Sequence, residues 1–122
     1  MYCFSEVAGY SKFGSYKGNG STDGTFVYTD FRPAVLILKA SSFTRGWRIT
    51  DSVRSPFNAI FKSLFPELTE QEYTATGSSA QGQDFLSNGF KLRSTNTRDN
   101  QNGSTYIYLA FAEAPFKNAR AR

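Results

Sequence analysis

The 122-residue chain has no histidine and one cysteine, Cys3. A lone thiol cannot close an internal disulfide, so nothing implies an oxidising compartment, and the fold must hold without covalent staples. Without histidine, neither a Ser-His-Asp triad nor a Cys-His pair can form. With one Cys and no His, a structural zinc site lacks ligands. Cys3 reads as a small apolar filler in a strand. No cofactor is expected. No window reaches 18 apolar residues, so no transmembrane helix is expected and no membrane partner follows. Residues 1–7 lack the positive charge and apolar run of a signal peptide.

Acidic charge is the scarcer sign, and the formal net charge is +4. Lys117, Arg120 and Arg122 form a basic tail over residues 117–122. Without those three the body carries only +1. The basicity is therefore a property of the end rather than of a face, and a nucleic-acid partner is not expected.

Aromatic residues are abundant. Twelve Phe and seven Tyr outnumber the single Trp and Met, and such rings suit half-buried pleated surfaces. Ten glycines with many Ser, Asn and Asp supply turns. The expected fold is mainly β: a single antiparallel, jelly-roll-like β-sandwich domain over residues 1–122, with one short helix.

Residues 10–24 read as a Gly/Ser/Asn loop, followed by a β-run at 25–31. Arg32-Pro33 interrupts it. Residues 34–39 are apolar on both faces, which predicts a strand covered on both sides. A short strand at 47–50 follows. Ser55-Pro56 resembles a helix start, and Phe57, Ile60, Phe61 and Leu64 recur at helical spacing, which predicts a helix over 56–65 ending at Pro66. Residues 67–84 read as a surface loop. Residues 89–94 alternate as a half-buried strand. The last strand, 104–113, carries Ile107, Leu109 and Phe111 on one face and Tyr106, Tyr108 and Ala110 on the other. Both faces are largely apolar and call for cover.

The ends repeat one another. Phe4-Ser5-Glu6-Val7 parallels Phe111-Ala112-Glu113-Ala114, each after a Tyr-containing apolar stretch. Self-similarity of this kind points to repeat or array architecture. In one reading both segments are strands of one sheet. In the other, residues 1–9 act as an exchanged or added strand completing a neighbouring chain.

Few constellations suit catalysis. Glu67, Glu70 and Glu72 read as solvated carboxylates. Glu6 and Glu113 could approach each other as glycosidase acids do, but strand-end Glu residues more often cap edges or pair with lysines such as Lys12 and Lys117. Residues 18–24 miss the spacing of a phosphate loop and precede no helix. Residues 99–103 cluster oxygens without the rest of a calcium loop and read as a turn. Trp47 between Arg45 and Arg48 reads either as a buried anchor or as a sugar-stacking platform. No enzyme activity is expected.

Four segments resemble known sequences: residues 2–14 (YCFSEVAGYSKFG), 24–34 (GTFVYTDFRPA), 86–93 (LSNGFKLR) and 103–113 (GSTYIYLAFAE). They are similar to an uncharacterised domain family in virion proteins of marine tailed phages. That resemblance implies a structural component of the tail, fibre or capsid decoration, working by protein–protein assembly, with a localisation in the virion after assembly in the host cytoplasm. It implies other virion proteins and further copies of the chain as partners, and supplies no catalytic residues. The residues expected at the assembly interface are Tyr2, Phe4, Glu6, Tyr106, Tyr108, Phe111, Glu113, Lys117, Arg120 and Arg122. The alternative function is a receptor- or glycan-binding module of a phage adsorption apparatus using Trp47, Arg45 and Arg48, with Tyr73, on a host surface glycan.

Overall fold

The described residues of the computed structural model (1, 3–76 and 82–113) form nine strands and no helix, and burial alternates along β3, β4, β7 and most of β9. The strands are β1 (Ser11–Lys17), β2 (Phe26–Tyr28), β3 (Pro33–Ala40), β4 (Trp47–Asp51), β5 (Lys62–Ser63), β6 (Tyr73–Thr74), β7 (Gln83–Leu86), β8 (Gly89–Leu92) and β9 (Thr105–Ala112). All pairings are antiparallel. One sheet has the order β1-β9-β3-β4, a second β2-β8-β7, and β5-β6 form a two-stranded ribbon.

The two larger sheets share one core. Tyr16, Leu36, Leu38, Ala40, Tyr106, Tyr108 and Ala110 come from the four-stranded sheet, and Val27, Phe85, Phe90 and Leu92 from the other. The Phe90 ring meets Tyr16 at 6.0 Å and Tyr108 at 5.4 Å, both edge-on, the geometry that favours the ring quadrupoles. The phenols find partners at the core's margin. Tyr16 donates to the Asp99 carbonyl at 2.7 Å and Tyr106 to the Thr97 carbonyl at 2.7 Å. Burial pushes both hydroxyls above their ordinary pKa.

The expected strand at 34–39 exists but is covered on one face only. Leu36, Leu38 and Ala40 are buried, while Val35, Ile37 and Lys39 are half-buried. Pro33 opens β3 at a register shift between Pro33 and Val35, where a missing N–H costs the ladder least.

Three expectations are corrected. No helix forms over 56–65, because tertiary pairing takes the backbone groups a helix would use. Ile60 exchanges hydrogen bonds with Gln83, Leu64 does so with Ile49, and the Phe61 carbonyl accepts from the Ala75 N–H. The Asn58 amide donates to the Phe85 carbonyl and accepts its N–H, both at 2.9 Å, like one more strand residue. Of the helical stripe, Ile60 is buried whereas Phe57 is 83% exposed. Residues 10–24 are not all loop, since β1 lies within them. Its small residues conceal a strand that sends Tyr16 into the core, and Gly14 leaves room for the Tyr108 ring, whose nearest atoms stand 3.1 Å from where a Cβ would be. Residues 67–84 likewise contain β6 and the start of β7.

A buried polar network joins β4 to the turn before β9. Arg48 and Asp99 form an ion pair in the interior, at 1% and 0% exposure. Arg48 also donates to Ser63 at 2.8 Å, and Asp99 accepts from Ser94 at 2.6 Å. Burial pushes the Asp99 carboxyl above its ordinary range, against the opposing pull of Arg48 and Ser94. Asn100 extends the network by donating to the Ser94 and Ser21 carbonyls and accepting from the Asn19 N–H. Residues 99–103 are thus a turn, as expected, but one built into the core.

Candidate functional site

Which face of β9 turns inward decides what the surface offers. Tyr106, Tyr108 and Ala110 face the core, so Ile107, Leu109 and Phe111 face out. Register extends that choice across the sheet. Phe13, Leu109, Ile37 and Ile49 form one continuous row over all four strands. Ser11, Phe111, Val35 and Asp51 form the next, and Ser15, Ile107, Lys39 and Trp47 the third. The central row is entirely apolar, and each member is half-buried rather than buried.

The ends of this face differ. At one corner the Phe111 ring is met by Phe4 at 5.9 Å, Phe13 at 6.0 Å and Tyr10 at 6.4 Å. Phe4 and Phe111, the matching residues of the end repeat, thus touch. Phe4 remains 61% exposed and Tyr10 40%. At the opposite end the Lys39 ammonium lies 5.7 Å from the centre of the Trp47 ring.

The N-terminal segment folds onto its own chain. Residues 3–6 carry no strand, and a single bridge joins Val7 to Ser11. Glu6 accepts the Phe13 N–H at 3.1 Å and lies 3.8 Å from the Lys12 ammonium. Its carboxylate therefore occupies a donor on β1, the outermost strand, and blunts that edge. Ser11 adds a hydroxyl bond to the Ser5 carbonyl at 2.8 Å. Glu113 pairs instead with Arg32 at 2.9 Å. Cys3 is exposed and outside any strand, which corrects its reading as a buried filler.

The structure separates the other candidate residues. Tyr106 and Tyr108 lie in the chain's own core, so the face expected to bind a neighbour is spent internally, and the aliphatic face is the one left outside. Phe4, Glu6 and Phe111 come together at the aromatic corner. Tyr2, Lys117, Arg120 and Arg122 lie outside the described residues. The Trp47 platform is broken up. Arg48 is buried against Asp99, Arg45 reaches Thr97 at 3.2 Å, and Trp47 is half-buried with Lys39 above it. Ile37 and Ile49, at the centre of the outer face, were not singled out from sequence, and Leu109 was named only as part of an apolar face of the last strand; period-two spacing marks each as one face of its strand.

Among the described residues no group of three or more Cys, Asp or Glu is placed to hold a metal ion. No helix of the described residues is long and apolar enough to cross a membrane. Compared with known families, residues 1–115 match the one described as a domain of unknown function, DUF7483. No curated protein and no solved structure matches the chain.

Proposed function

We propose an assembly role for this chain, which belongs to the DUF7483 family of domains of unknown function: a virion structural subunit, of tail, fibre or capsid-decoration type, that docks on other copies or other virion proteins through the outer face of its four-stranded sheet. The observation that carries the assembly role is the apolar row Phe13–Leu109–Ile37–Ile49 with its aromatic corner at Phe111. Four strands at about 4.8 Å spacing and about 20 Å along the strands give a projected face of roughly 400 Å². Its central row is apolar, and the rows on either side mix Phe111, Val35, Ile107 and Trp47 with Ser11, Asp51, Ser15 and Lys39. A stable partner covers about 800 Å² per side, so the face would form the centre of such an interface and the N-terminal segment part of its rim. The virion setting rests on the resemblance of the four sequence segments.

The finer architecture we propose is a jelly-roll-like sandwich. The order β1-β9-β3 in one sheet and β2-β8 in the other nests an inner antiparallel pair inside an outer one, the winding of a jelly roll. The hairpin β3-β4 within one sheet is a departure from that pattern.

Light scattering over a concentration series, with and without co-expressed virion proteins, tests the role. The chain should form a defined oligomer or complex, and Leu109→Lys should abolish it while leaving the thermal midpoint within a few degrees. A wild-type chain that stays monomeric alone and with those proteins would overturn the reading.

A further inference from the structure

Beyond the docking face, one concave site lies at another part of the surface. A cleft of about 140 Å³ is lined by Phe65, Glu70, Tyr73 and Arg98. Its floor is fixed. Phe65 is 6% exposed, and the bridge between Leu64 and Ile49 anchors its segment to β4. The Arg98 guanidinium carbon lies over the Phe65 ring, 4.5 Å from its centre. The turn that carries it is held by the Asn96 side chain, which accepts the Arg98 N–H at 2.9 Å. Tyr73 forms a second wall, its ring 6.0 Å from Phe65 and 41% exposed.

Among the described residues neither Glu70 nor Arg98 takes part in an ion pair, in contrast to Glu72 next to them, which is held by Arg54 at 2.8 Å and Lys62 at 3.4 Å. A carboxylate accepts two neighbouring hydroxyls through its two oxygens, and a guanidinium presents a planar fork of donors. An exposed ring takes the C–H face of a flat, ring-shaped ligand.

From this arrangement the geometry points to a binding site for a neutral sugar, one pyranose unit stacked on Tyr73 with vicinal hydroxyls on Glu70 and Arg98. The charges argue for neutrality. An anionic ligand meets the Glu70 carboxylate and a cationic one meets the Arg98 guanidinium, whereas a polyol satisfies both. A few convergent polar groups on an apolar floor are the usual make-up of a small-ligand site. A more open cleft of about 550 Å³ along residues 70–74 shares Glu70 and Tyr73, so further units of a chain have somewhere to lie. The site is independent of the docking face.

The test uses the whole chain, with NMR shifts followed as the methyl glycosides of glucose, galactose, mannose and rhamnose are added to about 20 mM, above the roughly 1 mM dissociation constant that a single weak site gives. At least one sugar should shift the Tyr73 ring and Arg98 side-chain signals. Tyr73→Ala and Glu70→Gln should each weaken binding about tenfold. Arg98→Lys should weaken it severalfold, because an ammonium lacks the planar fork of donors that a guanidinium offers to vicinal hydroxyls. Tyr28→Ala, another exposed aromatic, should leave it unchanged. The proposal fails if no sugar moves these signals, if the shifts persist in both Tyr73→Ala and Glu70→Gln, or if only methyl glucuronide or an oligolysine peptide occupies the cleft.

Discussion

Removing the Arg48 side chain should be among the most damaging single changes. Arg48 is 1% exposed, and Asp99 opposite is fully buried. Arg48→Ala strands that carboxylate and takes a donor from Ser63. Breaking one side of a buried pair costs about 3–5 kcal/mol, a large part of the roughly 5–15 kcal/mol that holds a domain together. In urea, with a slope of about 1–3 kcal/mol/M, the midpoint should fall by roughly 1–5 M. Trp47 fluorescence, from the neighbouring residue, reports the transition directly. The pH dependence separates the two partners. Burial already raises the folded-state pKa of Asp99 above its unfolded value, and loss of Arg48 raises it further. A folded state that binds a proton more readily than the unfolded one gains stability as pH falls through the raised pKa. The deficit of Arg48→Ala should therefore shrink on acidification. That of Asp99→Ala should not, because a stranded guanidinium cannot shed its proton. A cost for Arg48→Ala below about 1 kcal/mol, the range of exposed pairs, would place Arg48 at the surface and refute the network.

Other outcomes follow from local geometry. Glu72 is held below its ordinary carboxylate pKa of 4.5, first by the hydrogen bond from Arg54; its NMR titration midpoint should lie under that value and return towards it in Arg54→Ala. The pairing therefore favours the folded state above pH 4.5 and is lost as pH falls through the lowered midpoint. Gly89→Ala should lower stability by about 1–3 kcal/mol in thermal or urea unfolding, because its Cβ would stand 2.1 Å from the Val27 carbonyl oxygen. Glu6→Ala should speed hydrogen exchange at the Phe13 amide about tenfold, through loss of a charge-assisted acceptor, and leave exchange at Leu36 unchanged.

The strands with long apolar or alternating runs were legible in the sequence: β3, β4, β8 and β9 all lie within a residue or two of where composition places them. Elements whose cause is tertiary were not. β1 reads as a loop because Ser11, Gly14 and Ser15 are turn-forming residues, yet Tyr16 and the pairing with β9 decide its conformation. The stripe Phe57, Ile60, Phe61, Leu64 has helical spacing, but strand partners on both sides, at Ile49 and Gln83, claim its backbone. Arg48 looked like a surface cation because its partner is 51 residues away, a distance across which sequence carries no signal.

The placement of β9 shows why the candidate interface could be anticipated as a property but not as a set of atoms. Two apolar faces on one strand demand two covers, and the sequence showed that much. Intuition then puts the aliphatic face inside and leaves the tyrosines, with their hydroxyls, for a partner. The fold does the reverse because the turn at residues 97–101 lies over the end of the core and presents the Thr97 and Asp99 carbonyls to Tyr106 and Tyr16. With their hydroxyls satisfied, the rings can be buried for their area at no polar cost. Once the tyrosines face inward, the alternation of the strand places Ile107, Leu109 and Phe111 outside, and the registers of β1, β3 and β4 align Phe13, Ile37 and Ile49 beside them. A polar turn remote from the outer face thereby determines that the face is apolar. Tyr106→Phe, which removes only the hydroxyl, should cost stability by stranding the Thr97 carbonyl while leaving association through the Leu109 row intact.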